Sequence, residues 1–84
     1  MQREQAMRKL HNKIRMHRAD QRMSQQELAD KVGVRRETIG SLENEKYNPS
    51  LQLALLIAEA LHVPIQELFQ LTKEKSWVNI KLVP

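Results

Sequence analysis

The chain of 84 residues has no cysteine, two glycines and three prolines. Without cysteine there is no disulfide framework and no thiolate metal site, which fits a reducing cytosol. Two glycines do not make a phosphate-cradling loop, and no Ser/His/Asp or Cys/His arrangement appears. A domain this small leaves no room for an enclosed active site, so the chain reads as a non-enzyme. His11, His17 and His62 are scattered without ligand spacing or acidic partners. No metal or other cofactor is expected from them. No run reaches the ~18 apolar residues of a membrane span. Met1-Gln2-Arg3-Glu4-Gln5 carries no apolar signal region. Location in the cytoplasm, away from membranes, is the expectation.

What is there is basic. The net charge is +4 and the pI about 9.8, which permits an anionic partner. Residues 1–22 carry seven basic groups (Arg3, Arg8, Lys9, Lys13, Arg15, Arg18, Arg22) against Glu4 and Asp20. Residues 23–72 carry four basic and seven acidic groups, and the tail adds Lys73, Lys75 and Lys81 against Glu74. The excess positive charge therefore lies toward the ends. With a DNA partner, those ends would supply much of the salt-dependent phosphate attraction. With none, they serve solubility.

Three stretches follow from this division: a basic N-terminal extension over 1–11, a domain over 12–70, and a tail over 71–84. Residues 1–11 look helical but lack a clean apolar stripe. A first helix is expected from about Asn12 to Asp20, reaching back toward Ala6, with Ile14 on its apolar row. Met23 is placed to staple the start of a second helix over about 25–32. That helix opens on a capping box, in which Ser24 and Glu27 satisfy each other's backbone amides. Leu28, Ala29 and Val32 form its apolar stripe. Gly33 stands where a left-handed stop favours glycine. A third helix, about 35–44, follows at once with Ile39 and Leu42 inward. Two short helices with so tight a joint cross steeply, as in a helix-turn-helix.

Asn48-Pro49 breaks the chain, and Ser50 caps a fourth helix. Its run Leu51 to Leu61 is polar only at Gln52 and Glu59, so it reads as core buried on most of its circumference rather than as a ligand groove. Val63-Pro64 breaks the chain again, and Ile65, Leu68 and Phe69 mark a short fifth helix. Trp77 to Pro84 alternates in part and suits a short strand. A lone strand needs a partner, so the tail pairs with another chain as a dimerisation arm, packs, or stays loose. The fold class is all-α: a five-helix bundle with a helix-turn-helix at helices 2 and 3, plus this C-terminal strand or arm.

A helix in the major groove reads bases from its N-terminal half. With Ile39 and Leu42 inward, Arg36, Glu37, Gly40 and Ser41 share the outward face of the third helix. Arg36 can pair bidentately with guanine O6 and N7, and Glu37 can accept from cytosine N4 or orient Arg36. Gly40 costs about 1 kcal/mol in a helix interior, which makes sense if the backbone must approach a thymine methyl or a phosphate. Alone, these residues are equally an ordinary solvated surface, with Gly40 a tolerated imperfection. The flanks favour contact: Gln25 sits in the first turn of the second helix, where amide donors hold phosphate. Lys46, Tyr47 and Asn48 follow the third helix, within reach of the next phosphates. Arg18 and Glu43 are expected to pair across the first and third helices, fixing geometry more than adding stability.

These residues resemble the helix-turn-helix domains of the phage-repressor and Cro type, the XRE family, over about 12–69. The resemblance rests on Ile14-Arg15 with Arg18, Met23 to Ala29, Val32-Gly33-Val34 and Thr38-Ile39. It continues through Leu42-Glu43-Asn44, Lys46 to Leu51, Ala58 to Leu61 and Glu67-Leu68-Phe69. Small stand-alone bacterial regulators with Lys-Tyr-Asn-Pro-Ser are the nearest subgroup. The resemblance implies a third helix in the major groove and operators bound by two-fold dimers, with half-sites about one helical turn apart. By position it implies phosphate contacts from Gln25, Asn44, Lys46, Tyr47 and Asn48, and base or backbone contacts from Arg35, Arg36, Glu37 and Ser41. Arg18 and Glu43 match the family's internal ion pair. Arg35 departs from a usual Ser or Thr cap, Glu45 from a frequent glycine, and Pro64 from a usual cap. The reading is a sequence-specific DNA-binding transcriptional regulator: a repressor and homodimer on a double-stranded operator. The alternative is an antitoxin or interaction module using the same fold to bind a partner protein such as a toxin.

Overall fold

The computed structural model describes residues 8–72. The helices are α1 (Ile14–Asp20), α2 (Gln25–Val32), α3 (Arg36–Glu43), α4 (Leu51–Leu61) and α5 (Ile65–Leu68). Two short strands, β1 (Leu10–Asn12) and β2 (Phe69–Leu71), flank them and pair antiparallel. The five-helix bundle expected from the sequence is present among the described residues, with this ribbon added.

The ribbon corrects two expectations. Residues 10–12 are extended rather than helical, and Phe69 opens β2 instead of closing α5. The register is Leu10 with Leu71, His11 with Gln70 and Asn12 with Phe69. The Lys13 amide donates to the Leu68 carbonyl at 2.9 Å, and the Thr72 amide to the Lys9 carbonyl at 2.7 Å, extending the pairing at both ends. Asn12 then redirects the chain: its Oδ1 accepts from the Ile14 amide at 3.1 Å, so α1 begins two residues later than expected. Residues 1–7 and 73–84, including the alternating Trp77-to-Pro84 segment, lie outside the described residues.

The core is a single cluster. Ile14, Leu28, Ile39, Leu42, Ile57, Leu61 and Leu68 are fully buried, with Ala29, Val32 and Ala58 between them. Each helix thus contributes its apolar stripe to one centre. Helix α4 contributes less than its composition suggested. Ala54, Ile57, Ala58 and Leu61 face inward, but Leu51, Leu55 and Leu56 are 71%, 49% and 37% exposed. Among the described residues the helix packs chiefly on α2 and α5. The elements among the described residues are too few to cover its other side.

The helix ends share one device. In the Schellman motif the residue past the cap is left-handed, and two amides turn back onto the last carbonyls. Gly33 takes that position after α2, at φ 79°. Arg22, Glu45 and His62 take it after α1, α3 and α4, at φ 53°, 58° and 60°. The paired bonds are present at these three ends: Met23 to Arg18 and Arg22 to Ala19, Lys46 to Ser41 and Glu45 to Leu42, Val63 to Ala58 and His62 to Glu59; at Gly33 both amides, Gly33 and Val34, donate to Ala29. So three of the four turns place a side chain where glycine is cheaper.

Candidate nucleic-acid interface

Helices α2 and α3 form the site. The Ser24 hydroxyl accepts from the Glu27 amide at 3.0 Å, and the Glu27 carboxylate accepts from the Ser24 amide at 2.7 Å. This capping box fixes where α2 starts. Gly33 turns the chain, and Arg35, in extended conformation, begins α3 with no side-chain cap. The weaker cap is offset by the burial of Ile39 and Leu42 against α2. Along α3, Arg36 and Glu37 are exposed, with Arg36 Nη2 3.8 Å from Glu37 Oε2. At that distance and exposure the pair contributes little to stability.

Gly40 and Ser41 are half-buried. Gln25 lies over Gly40: a Cβ built there would sit 3.7 Å from Gln25 Nε2 and 4.0 Å from Oε1. That is ordinary contact, so nothing else among the described residues requires glycine at this position. Past α3, Asn44, Lys46, Tyr47 and Asn48 are all exposed.

The last residue of α3 is a buried carboxylate. Glu43 has no exposed side-chain surface, and Arg18, 15% exposed, donates from Nε to its Oε2 at 2.7 Å. Arg18 Nη2 also reaches Glu43 Oε1 at 3.2 Å, and Nη1 donates to the Met23 carbonyl at 2.8 Å. Gln25 Nε2 donates to Glu43 Oε1 at 3.0 Å. Burial pushes the Glu43 carboxyl up, but hydrogen bonds from Arg18 and Gln25, the Arg18 charge and a hydrogen bond from Arg15 outweigh it. The carboxyl is held below its ordinary value and stays charged.

Sequence reasoning missed three supporting residues. Arg15 donates from Nε to Glu43 Oε1 at 3.4 Å and from Nη2 to Asn44 Oδ1 at 2.8 Å. Asn12 Nδ2 donates to the Leu42 carbonyl at 2.8 Å, a helix-end acceptor that also takes the Glu45 amide. His11 Nδ1 lies 2.6 Å from Glu45 Oε2, which ties β1 to the turn after α3. For Arg15 a signal existed: it lies three residues before Arg18, on the same side of α1.

The family model described as helix-turn-helix matches residues 14–68. An uncharacterized HTH-type transcriptional regulator of Archaeoglobus fulgidus is 52% identical over 68 residues, covering 81% of this chain and 97% of the relative. One of Bacillus subtilis is 40% identical over 63 residues, covering 75% and 96%. A crystal structure of a proposed DNA-binding protein from Bacteroides fragilis superposes with a TM-score of 0.67 at 28% identity. It covers 73% of this chain and 98% of that one. The match spans α1 to α5, with the capped α2, the Gly33 turn and the Arg18–Glu43 pair inside it. The chain belongs to the helix-turn-helix family, of the XRE type.

Proposed function

We propose that the chain is a DNA-binding transcriptional regulator, not an enzyme, and that it reads its operator by placing α3 in the major groove. The observation that carries this is the outward edge of α3. Arg36 and Glu37 stand in solvent on a helix whose inner side is fully buried and whose far end is fixed by the Arg18–Glu43 ion pair. A rigid helix presenting a guanidinium and a carboxylate suits the guanine and cytosine edges of the major groove. Gln25, Asn44, Lys46, Tyr47 and Asn48 surround it with donors for the flanking phosphates. The names of the relatives support the same reading.

The regulator acts in the cytoplasm as a repressor, covering its operator as a two-fold dimer. Leu51, Leu55 and Leu56 on α4 support the dimer, because they expose apolar surface beside Gln52 and Glu59 with nothing over it among the described residues. The reading is tested by selecting duplexes from random DNA on the purified chain, then titrating the selected duplex by gel shift at two salt concentrations. Binding that weakens steeply with salt is expected. No binding at low salt overturns the DNA reading and leaves an interaction module. Sedimentation of the free chain tests the dimer, and a reporter behind the selected site tests repression.

A further inference from the structure

The contact between Arg15 and Asn44 joins two residues that α1 and the end of α3 present on one surface. Asn44 is exposed, and its Oδ1 is taken by Arg15 Nη2 at 2.8 Å. A carboxamide has one acceptor end and one donor end. With the acceptor end held by Arg15, the Nδ2 end is the one free to turn outward, and among the described residues it donates to no protein acceptor. Arg15 is itself anchored: its Nε lies 3.4 Å from Glu43 Oε1, a carboxylate with no exposed surface that Arg18 and Gln25 also hold. The Arg15 side chain as a whole is 61% exposed. The guanidinium is therefore a planar bridge between a fixed buried charge and a surface amide.

We propose that Arg15 is a positioning residue for DNA-backbone binding. It locks the Asn44 carboxamide with its Nδ2 donor end turned outward, toward an incoming phosphate oxygen. The inference rests on the DNA-binding reading above and deepens it by assigning an orienting role to a residue of α1. The same bridge would make the Gln25 and Asn44 amides branches of one network centred on Glu43. Planarity is the essential feature, because two donors of one rigid fork must reach two acceptors at once. A lysine ammonium at position 15 carries the same charge but cannot hold Glu43 and Asn44 in that geometry.

The test is a double-mutant cycle on the duplex selected from random DNA, with Arg15→Ala, Asn44→Ala and the double variant, plus Arg15→Lys. Asn44→Ala is expected to weaken binding about tenfold, as for the loss of one hydrogen bond to a charged group. Arg15→Ala is expected to cost a similar factor, and the double variant little more than the worse single one. Arg15→Lys is expected to bind as poorly as Arg15→Ala. Thermal melting of all four checks that they are folded, which the exposure of Arg15 favours. Additive losses in the double variant overturn the proposal, as does wild-type binding by Arg15→Lys or by Asn44→Ala. Failure of the wild-type chain to select any duplex is a separate result, which sinks the DNA reading itself.

Discussion

Arg18 and Glu43 lie 25 residues apart in the chain, yet their side chains meet at 2.7 Å, and the carboxylate is withdrawn completely from solvent. This ties α1 to the last turn of α3. Removing one partner leaves the other charge buried with too few bonds, which costs about 3–5 kcal/mol. Arg18→Ala is therefore expected to lose stability toward the lower end of that range, because Arg15 and Gln25 still reach Glu43. Urea unfolding followed by circular dichroism measures the loss. An unchanged midpoint would mean that the pair contributes nothing.

The same carboxylate gives the fold a pH dependence of definite sign. Glu43 has a folded-state pKa below its unfolded one. Its contribution to stability is present in full above the unfolded value and is lost as pH falls through the lowered folded value. Stability measured from neutral pH down through the carboxylate range should decline accordingly. Glu43→Gln should be less stable at neutral pH and should show a shallower decline. An equal slope in the two proteins would assign the acid sensitivity to other carboxylates.

At the end of α1, the left-handed Arg22 has an exposed side chain. Replacing it by glycine relieves a conformational cost of about 1–2 kcal/mol, less the greater freedom of glycine in the unfolded chain. Arg22→Gly should stabilise the protein by about 1 kcal/mol, raising the melting temperature by roughly 4–8 °C for a domain of this size. Glu45→Gly should gain less. Its carboxylate pairs with His11 and accepts from the Asn12 amide at 3.3 Å, and both contacts would go. If the two variants gain equally, the Glu45 contacts have no net worth.

Local chemistry explains which of these features could be read from the sequence. The Ser24–Glu27 box, the Gly33 turn and the stripe of Leu28, Ala29 and Val32 each involve residues within one or two turns, so spacing alone specifies them. Pairing Arg18 with Glu43 needed only two opposite charges on helices that cross. The ribbon was hidden because three residues are too few to show a period of two, and Leu10 and Leu71 are far apart in the chain. The α4 run looked buried on most of its circumference because hydrophobicity reports what a helix can bury. How many neighbours exist to bury it depends on the whole packing. Arg15 reaches Asn44 only because α1 and the end of α3 converge, a geometry that a long flexible side chain does not announce.

Base reading and phosphate holding separate by their sequence dependence. Arg36→Ala should cost about 1–3 kcal/mol on the selected duplex and relax preference at one base pair. Lys46→Ala should weaken selected and scrambled duplexes alike and reduce the salt slope by about one. The two variants titrated on both duplexes over a range of salt measure this. If they behave alike, α3 does not discriminate bases through Arg36.

Gly40 separates the demands of the fold from those of the ligand. In the folded chain a methyl group at this position meets Gln25 at an ordinary distance of 3.7 Å. Alanine is favoured over glycine in a helix interior by about 1 kcal/mol, so Gly40→Ala should melt at a higher temperature. The added methyl also lies on the α3 edge, between the bases that Arg36 and Glu37 would read and the phosphates near Asn44. If the backbone approaches DNA there, the more stable variant should bind the selected duplex at least tenfold more weakly. Higher stability with unchanged affinity would show that α3 keeps its distance at Gly40, so that glycine there is a tolerated imperfection. Loss of both would mean that Gln25 is displaced from Glu43, in which case Gly40→Ala should cost nothing further in a Gln25→Ala background.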